Sequence, residues 1–131
     1  MNKKIIFILI LSLGNFSYAE TCPTTSEIKS GIFRGWQPFN VDSGEPVTDP
    51  KDIKQFQKNV VSFNLAEWMP DAPEGPSHCY YNKKENQAFF SPDIYLVKTT
   101  LAPKEGDENW QPASLGNLNC TVDVHLCRFQ D

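Results

Sequence analysis

The chain has 131 residues, with 12 basic against 16 acidic side chains, a formal charge of −4, and 40% hydrophobic residues. This length suits one domain with a core of ordinary size. The acidic balance argues against nucleic acid, whose phosphates would repel it, and against anionic membrane surfaces.

The first nineteen residues read as an address. Lys3 and Lys4 make a basic start, Ile5 to Leu13 is an apolar run, and Ser17-Tyr18-Ala19 has the small-x-small form of a cleavage signal. The expectation is a secretory signal peptide cut before Glu20, leaving 20–131 as one domain. The apolar run is too short for a bilayer span, and no stable membrane anchor is expected. Loss of the two leader lysines takes the formal −4 to about −6. Such a charge favours basic partners, mainly through association rate.

Next comes Cys22-Pro23-Thr24-Thr25-Ser26-Glu27-Ile28-Lys29. Proline near the first helical position and an early glutamate predict a short helix, with Gly31 ending it. Ile32-Phe33 opens an extended piece that stops at Trp36, and residues 37–50, rich in proline and acids, read as a loop. Asp49-Pro50 starts a second helix candidate. Ile53, Phe56 and Val60 recur there at helical spacing. Val61, Phe63 and Leu65 alternate with polar or small residues and predict a strand ending near Trp68.

Met69 to Pro76 carries three prolines and cannot continue a ladder. Ser77 to Tyr81 is a strand containing Cys79. A polar turn at Lys83 to Asn86 leads to an extended stretch from Gln87 to Leu101, followed by an acidic loop from Ala102 to Pro112. Cys120 to Phe129 then alternates with period two, which predicts a half-buried strand with Cys120 facing the apolar layer and Cys127 facing away. The sum is an α+β domain, with an antiparallel sheet of four to five strands and one or two short helices.

Four cysteines in an exported chain read as two disulfides. Three pairings are open, and Cys79–Cys120 with Cys22–Cys127 is the favoured one. In it, the strand of Cys79 pairs with the last strand, and the segment of Cys22 covers the outward Cys127. Oxidised cysteines cannot ligate as thiolates, so neither a metal site at His78, Cys79, His125 and Cys127 nor a cysteine nucleophile is expected. No cofactor is implied.

Three W-x-P triplets use all three tryptophans: Trp36-Gln37-Pro38, Trp68-Met69-Pro70 and Trp110-Gln111-Pro112. Large aromatics at loop borders could stack on sugars or anchor a protein partner, so Trp36, Trp68, Met69 and Trp110 are the candidate binding residues. The competing reading has the rings plugging the ends of the sheet. Glu67, Asp71 and Glu74 cluster beside Trp68 and are the acids that glycoside hydrolysis would use.

Cys22-Pro23 with Glu27-Ile28, Gly31-Ile32-Phe33, Trp36, Cys79-Tyr80-Tyr81 and Cys127-Arg128-Phe129 together resemble a family of small exported proteins of unknown function from gammaproteobacteria, including Legionella-like organisms. The resemblance implies secretion to the periplasm or beyond by a type II pathway, and it brings no catalytic residues. The leading expectation is an exported, non-enzymatic binding protein with a protein or glycan partner. The alternatives are an inhibitor of a basic hydrolase such as lysozyme, and a weak glycoside hydrolase.

Overall fold

The structure, a computed structural model, describes residues 20–84, 92–99 and 101–130. The expected signal peptide lies outside them, as do residues 85–91 of the expected turn and extended stretch. The described chain is α+β. Two helices, α1 (Thr25–Lys29) and α2 (Pro50–Asn59), accompany β1 (Gln37–Asn40), β2 (Val60–Trp68), β3 (Ser77–Lys83), β4 (Ile94–Lys98), β5 (Gln111–Pro112) and β6 (Leu118–Cys120). The strands form one antiparallel sheet in the order β1-β4-β3-β2-β6-β5.

Six strands replace the expected four or five. The additions, β1 and β5, each contain a proline, Pro38 and Pro112, in segments read as loops. Both lie at the outer edges of the sheet, where a missing backbone donor leaves no ladder partner stranded.

One row crosses five strands. Pro38 stands opposite Leu96, Leu96 opposite Cys79, Cys79 opposite Ala66, and Ala66 opposite Cys120. All five are buried. Cross-strand partners share a face, so this row is the inner layer. Ile28 of α1 and Phe56 of α2 pack into the same core. Phe56 and Phe63 both meet the edge of Tyr81, with ring centroids 6.0 and 5.9 Å away.

The row corrects the favoured disulfides. Strand β2 lies between Cys79 and Cys120, so two strand spacings separate them, about 10 Å. A disulfide needs Cα atoms within about 7 Å. Cys79 instead bonds Cys22, with Cα atoms 5.9 Å apart, and Cys120 bonds Cys127, at 5.6 Å. The first bond pins the entry to α1 onto the inner face. Tyr81 reinforces it by donating its hydroxyl to the Pro23 carbonyl at 2.5 Å.

The second bond breaks the expected closing strand. Seven extended residues would span about 23 Å, but Cys120 and Cys127 are 5.6 Å apart. The ladder therefore stops at Cys120, and residues Val124–Leu126 form a 3-10 turn. Cys127 points inward and is fully buried, not outward as the alternation predicts.

Beyond the turn, Phe129 enters the core between two tryptophans. Its ring lies 5.5 Å from Trp36 and 5.0 Å from Trp110. Its amide donates to the Glu20 carbonyl at 2.8 Å, joining the two ends of the described chain.

The start of α1 follows its sequence signals closely. The Thr24 side chain accepts from the Glu27 amide, and the Glu27 carboxylate accepts from the Thr24 amide, a capping box. Arg34 adds an ion pair to Glu27 at 3.0 Å and another to Glu20 at 3.0 Å. Burial alone would raise the Glu27 pKa. The Thr24 amide and the Arg34 guanidinium outweigh it, and the pKa is lowered.

Two predictions come from these contacts. Peptide mapping without reduction should recover Cys22 linked to Cys79 and Cys120 linked to Cys127. In chain-entropy terms the long bridge should contribute about 4 kcal/mol and the short one about 2 kcal/mol, so removing the first should lower the urea midpoint more. Glu27→Gln should lower stability at neutral pH. A carboxylate whose folded pKa is depressed stabilises fully above its unfolded value and loses that contribution as pH falls through the folded one. The deficit of the variant should therefore shrink below the ordinary value of 4.5, as urea titrations at neutral pH and at about pH 3 would show.

Candidate functional site

Besides the Glu20, Glu27, Arg34 and Lys98 ion-pair cluster at the start of α1, the described residues gather polar side chains in a network on the outer face of the sheet and in a groove beside β2.

The network is built by register. Glu67 on β2 stands opposite His78 on β3, and His78 stands opposite Val97 on β4. These residues share the face opposite the Cys79 row. The Met69–Pro76 loop folds back over them, held by a hydrogen bond from the Met69 amide to the Pro76 carbonyl at 2.7 Å. Gly75 permits the close approach. Its φ is +142°, and a side-chain carbon there would lie 3.0 Å from the Lys98 carbonyl and the Val97 methyl.

His78 is 2% exposed. Its Nε2 lies 2.8 Å from the Gly75 carbonyl and 3.3 Å from the Glu74 carboxylate. Both neighbours are acceptors, so Nε2 carries a proton. Its Nδ1 lies 3.1 Å from the Tyr80 hydroxyl, which also reaches Glu67 at 3.2 Å. With its amide turned to match its neighbours, Asn119 donates to the other Glu67 oxygen at 3.3 Å. Tyr80 stacks on Tyr95 at 5.3 Å. Burial, then the Glu67 charge, push the Tyr80 pKa well up, and burial with Glu74 raises Tyr95.

This arrangement occupies two of the three acids singled out for hydrolysis. Glu67 accepts from Tyr80 and Asn119, and Glu74 meets His78. Asp71 is exposed on the loop. The network ties the Pro-rich loop to the sheet and keeps Tyr80 in its neutral, donating form.

The tryptophans turn inward. Trp36 and Trp110 are 2% and 7% exposed and belong to the core. Trp36 donates to Glu20 at 3.3 Å, and Trp110 donates to the Arg128 carbonyl at 2.7 Å. Trp68 and Met69 are half-buried, and Trp68 packs on the core at the end of β2. As binding anchors, Trp36 and Trp110 are thus corrected to core residues. Each indole finds its polar partner inside the fold, and Phe129 fills the space between them.

Of the metal candidates, Cys79 and Cys127 are in disulfides, His78 is in the outer network and His125 lies on the groove. Among the described residues no group of three or more His, Cys, Asp or Glu is placed to hold a metal ion.

The groove has a volume of about 470 Å³. Its floor is Val61, Ser62 and Phe63 of β2. Thr24 and Thr25 at the start of α1 form one wall, and residues Thr121 to His125 form the other. Val61 is 53% exposed and Val122 40% exposed. A disulfide braces each wall, Cys22–Cys79 behind Thr24 and Cys120–Cys127 around the loop. The groove thus combines hydroxyls, two exposed valines, one carboxylate at Asp123 and one imidazole at His125. Sequence reading missed it because it took Thr121 to His125 for strand; the seven-residue cysteine spacing is the signal that could have revealed a closed loop.

Comparison with protein-family models, curated proteins and solved structures finds no match to this chain.

Tyr80→Phe removes the hydroxyl shared by His78 and Glu67 and should cost about 1–3 kcal/mol. Combined with Glu67→Gln, the loss should fall short of the sum of the single losses, because the two groups belong to one network. Denaturant titration of the two single variants and the double variant measures this coupling.

Proposed function

We propose that this is an exported binding protein, without an enzymatic role, that engages a protein or glycan partner through the groove beside β2. The observation that carries this reading is the open, covalently braced cleft with Val61 and Val122 exposed in it. Binding clefts are usually about 300–1,000 Å³ with a few convergent polar groups, and this one sets hydroxyls, a carboxylate and an imidazole around its exposed valines. Two disulfides fit an oxidising compartment. Among the described residues no helix is long and apolar enough to cross a membrane. Secretion to the periplasm or beyond, by a type II route, joins this reading through the leader and the resemblance to small exported gammaproteobacterial proteins.

A second reading is supported by charge. The formal −4 of the chain, with Asp71, Glu105, Glu108 and Asp123 exposed, suits the inhibition of a basic hydrolase such as lysozyme. Undiminished lysis at micromolar excess of the protein would sink it. The weak hydrolase reading loses support, because Glu67 and Glu74 are held in the outer network.

The groove reading makes a directional prediction. Val61→Lys, at an exposed position, should leave the fold intact and abolish capture of partners from envelope or host extract. Trp68→Ala, away from the groove, should keep that capture. Circular dichroism checks the fold, and retained capture by Val61→Lys would reject the surface.

A further inference from the structure

We propose that the occupant of the groove is an extended polypeptide segment, bound as an added strand on β2. The proposal rests on the reading of the groove as the binding site and specifies its ligand.

The backbone provides the argument. On one side β2 pairs with β3 along its length, from Val60 opposite Lys83 to Trp68 opposite Ser77. On the other side β6 pairs only with Ala66, Glu67 and Trp68. Had β6 continued, it would have run beside Leu65 to Val61. The Cys120–Cys127 bond turns the chain out of that lane instead. The groove opens where that continuation would have lain, beside Val61, Ser62 and Phe63.

The lane also offers unmet hydrogen bonding. Among the described residues, no backbone bond outside the ladder with β3 involves residues 61–65. Two register shifts in that ladder, Val60 to Ser62 and Phe63 to Leu65, make Val61 and Asn64 extra residues that β3 does not pair. An unpaired strand edge is a template for main-chain pairing. Native edges are blunted by lysine, proline, bulges or a covering element; Val61-Ser62-Phe63-Asn64-Leu65 carries neither residue, and its bulges and flanking walls restrict the edge without pairing it among the described residues.

The walls select a slender ligand. Thr24–Thr25 and Thr121–His125 flank the lane, so a second copy's sheet edge, with its own neighbouring elements, would collide with them. The bulges coil β2 and limit a flat, long partner. A lone extended segment, rising about 3.3 Å per residue, is the slender ligand this favours. Val61 and Val122 favour β-branched apolar side chains on it, the threonines favour small hydroxyls, and Asp123 favours a basic flank.

The test uses two synthetic peptides and leaves the protein unaltered. One alternates valine and threonine between terminal lysines. The other is identical but N-methylated at alternate amides, which removes main-chain donors. Each is titrated into the oxidised, ¹⁵N-labelled protein, with amide shifts and hydrogen exchange read residue by residue. The expected result is shifts and slowed exchange at residues 61–65, with the methylated peptide weaker by about tenfold or more. Equal binding of both peptides, with shifts at Val122 and His125 but no protection of residues 61–65, overturns strand addition and leaves the groove as a binding site. No shift at millimolar peptide also overturns it, because main-chain pairing is largely indifferent to side-chain sequence. If Val61→Lys also retains capture, the groove reading falls as well.

Discussion

The position of Ala66 between Cys79 and Cys120 is the constraint on which most of the structure depends. The three lie in one buried row, and β2 keeps the two cysteines too far apart to bond. Each must find its partner elsewhere. Cys79 takes Cys22, which fastens the N-terminal helix to the inner face. Cys120 takes Cys127, which curls the last segment into a loop. The two walls of the groove are the direct products of these two bonds.

The two faces of the sheet are finished by different chemistry. The inner face is closed by apolar packing, by α1 and α2, and by Phe129 between Trp36 and Trp110. Its polar requirements are small, met by single bonds such as that from the Tyr81 hydroxyl to the Pro23 carbonyl. The outer face carries a buried imidazole, and there satisfaction of polar groups governs the design. Glu67, Tyr80, His78 and Glu74 meet in turn, under a loop that Gly75 allows to lie close. A half-satisfied network of this kind would be costly, and the described side chains leave no buried nitrogen or oxygen without a partner.

Local signals were legible where the determining contacts were themselves local. Thr24 and Glu27 cap α1 from three residues apart, and Asp49-Pro50 opens α2 as its sequence suggests. The alternation from Ser77 to Tyr81 and the run ending at Trp68 both became strands. The readings that failed depended on distant partners. Pro38 lies in a segment whose prolines and acids read as loop, yet β1 is an edge strand that tolerates it. Cys120 to Phe129 alternates like a strand, but a bond within the segment outweighs the alternation. Trp36 and Trp110 look like surface anchors until Phe129, some twenty to ninety positions further along the chain, is seen between them.

By itself the sequence determined the α+β class, the short helices, the antiparallel strands and the use of all four cysteines in disulfides, because periodicity, capping residues and cysteine count are carried along the chain. Only the tertiary structure decided which cysteines meet, which aromatics are buried and that, among the described residues, β6 pairs with only the last three residues of β2. Those outcomes depend on strand order, and strand order sets distances between residues that no linear spacing contains.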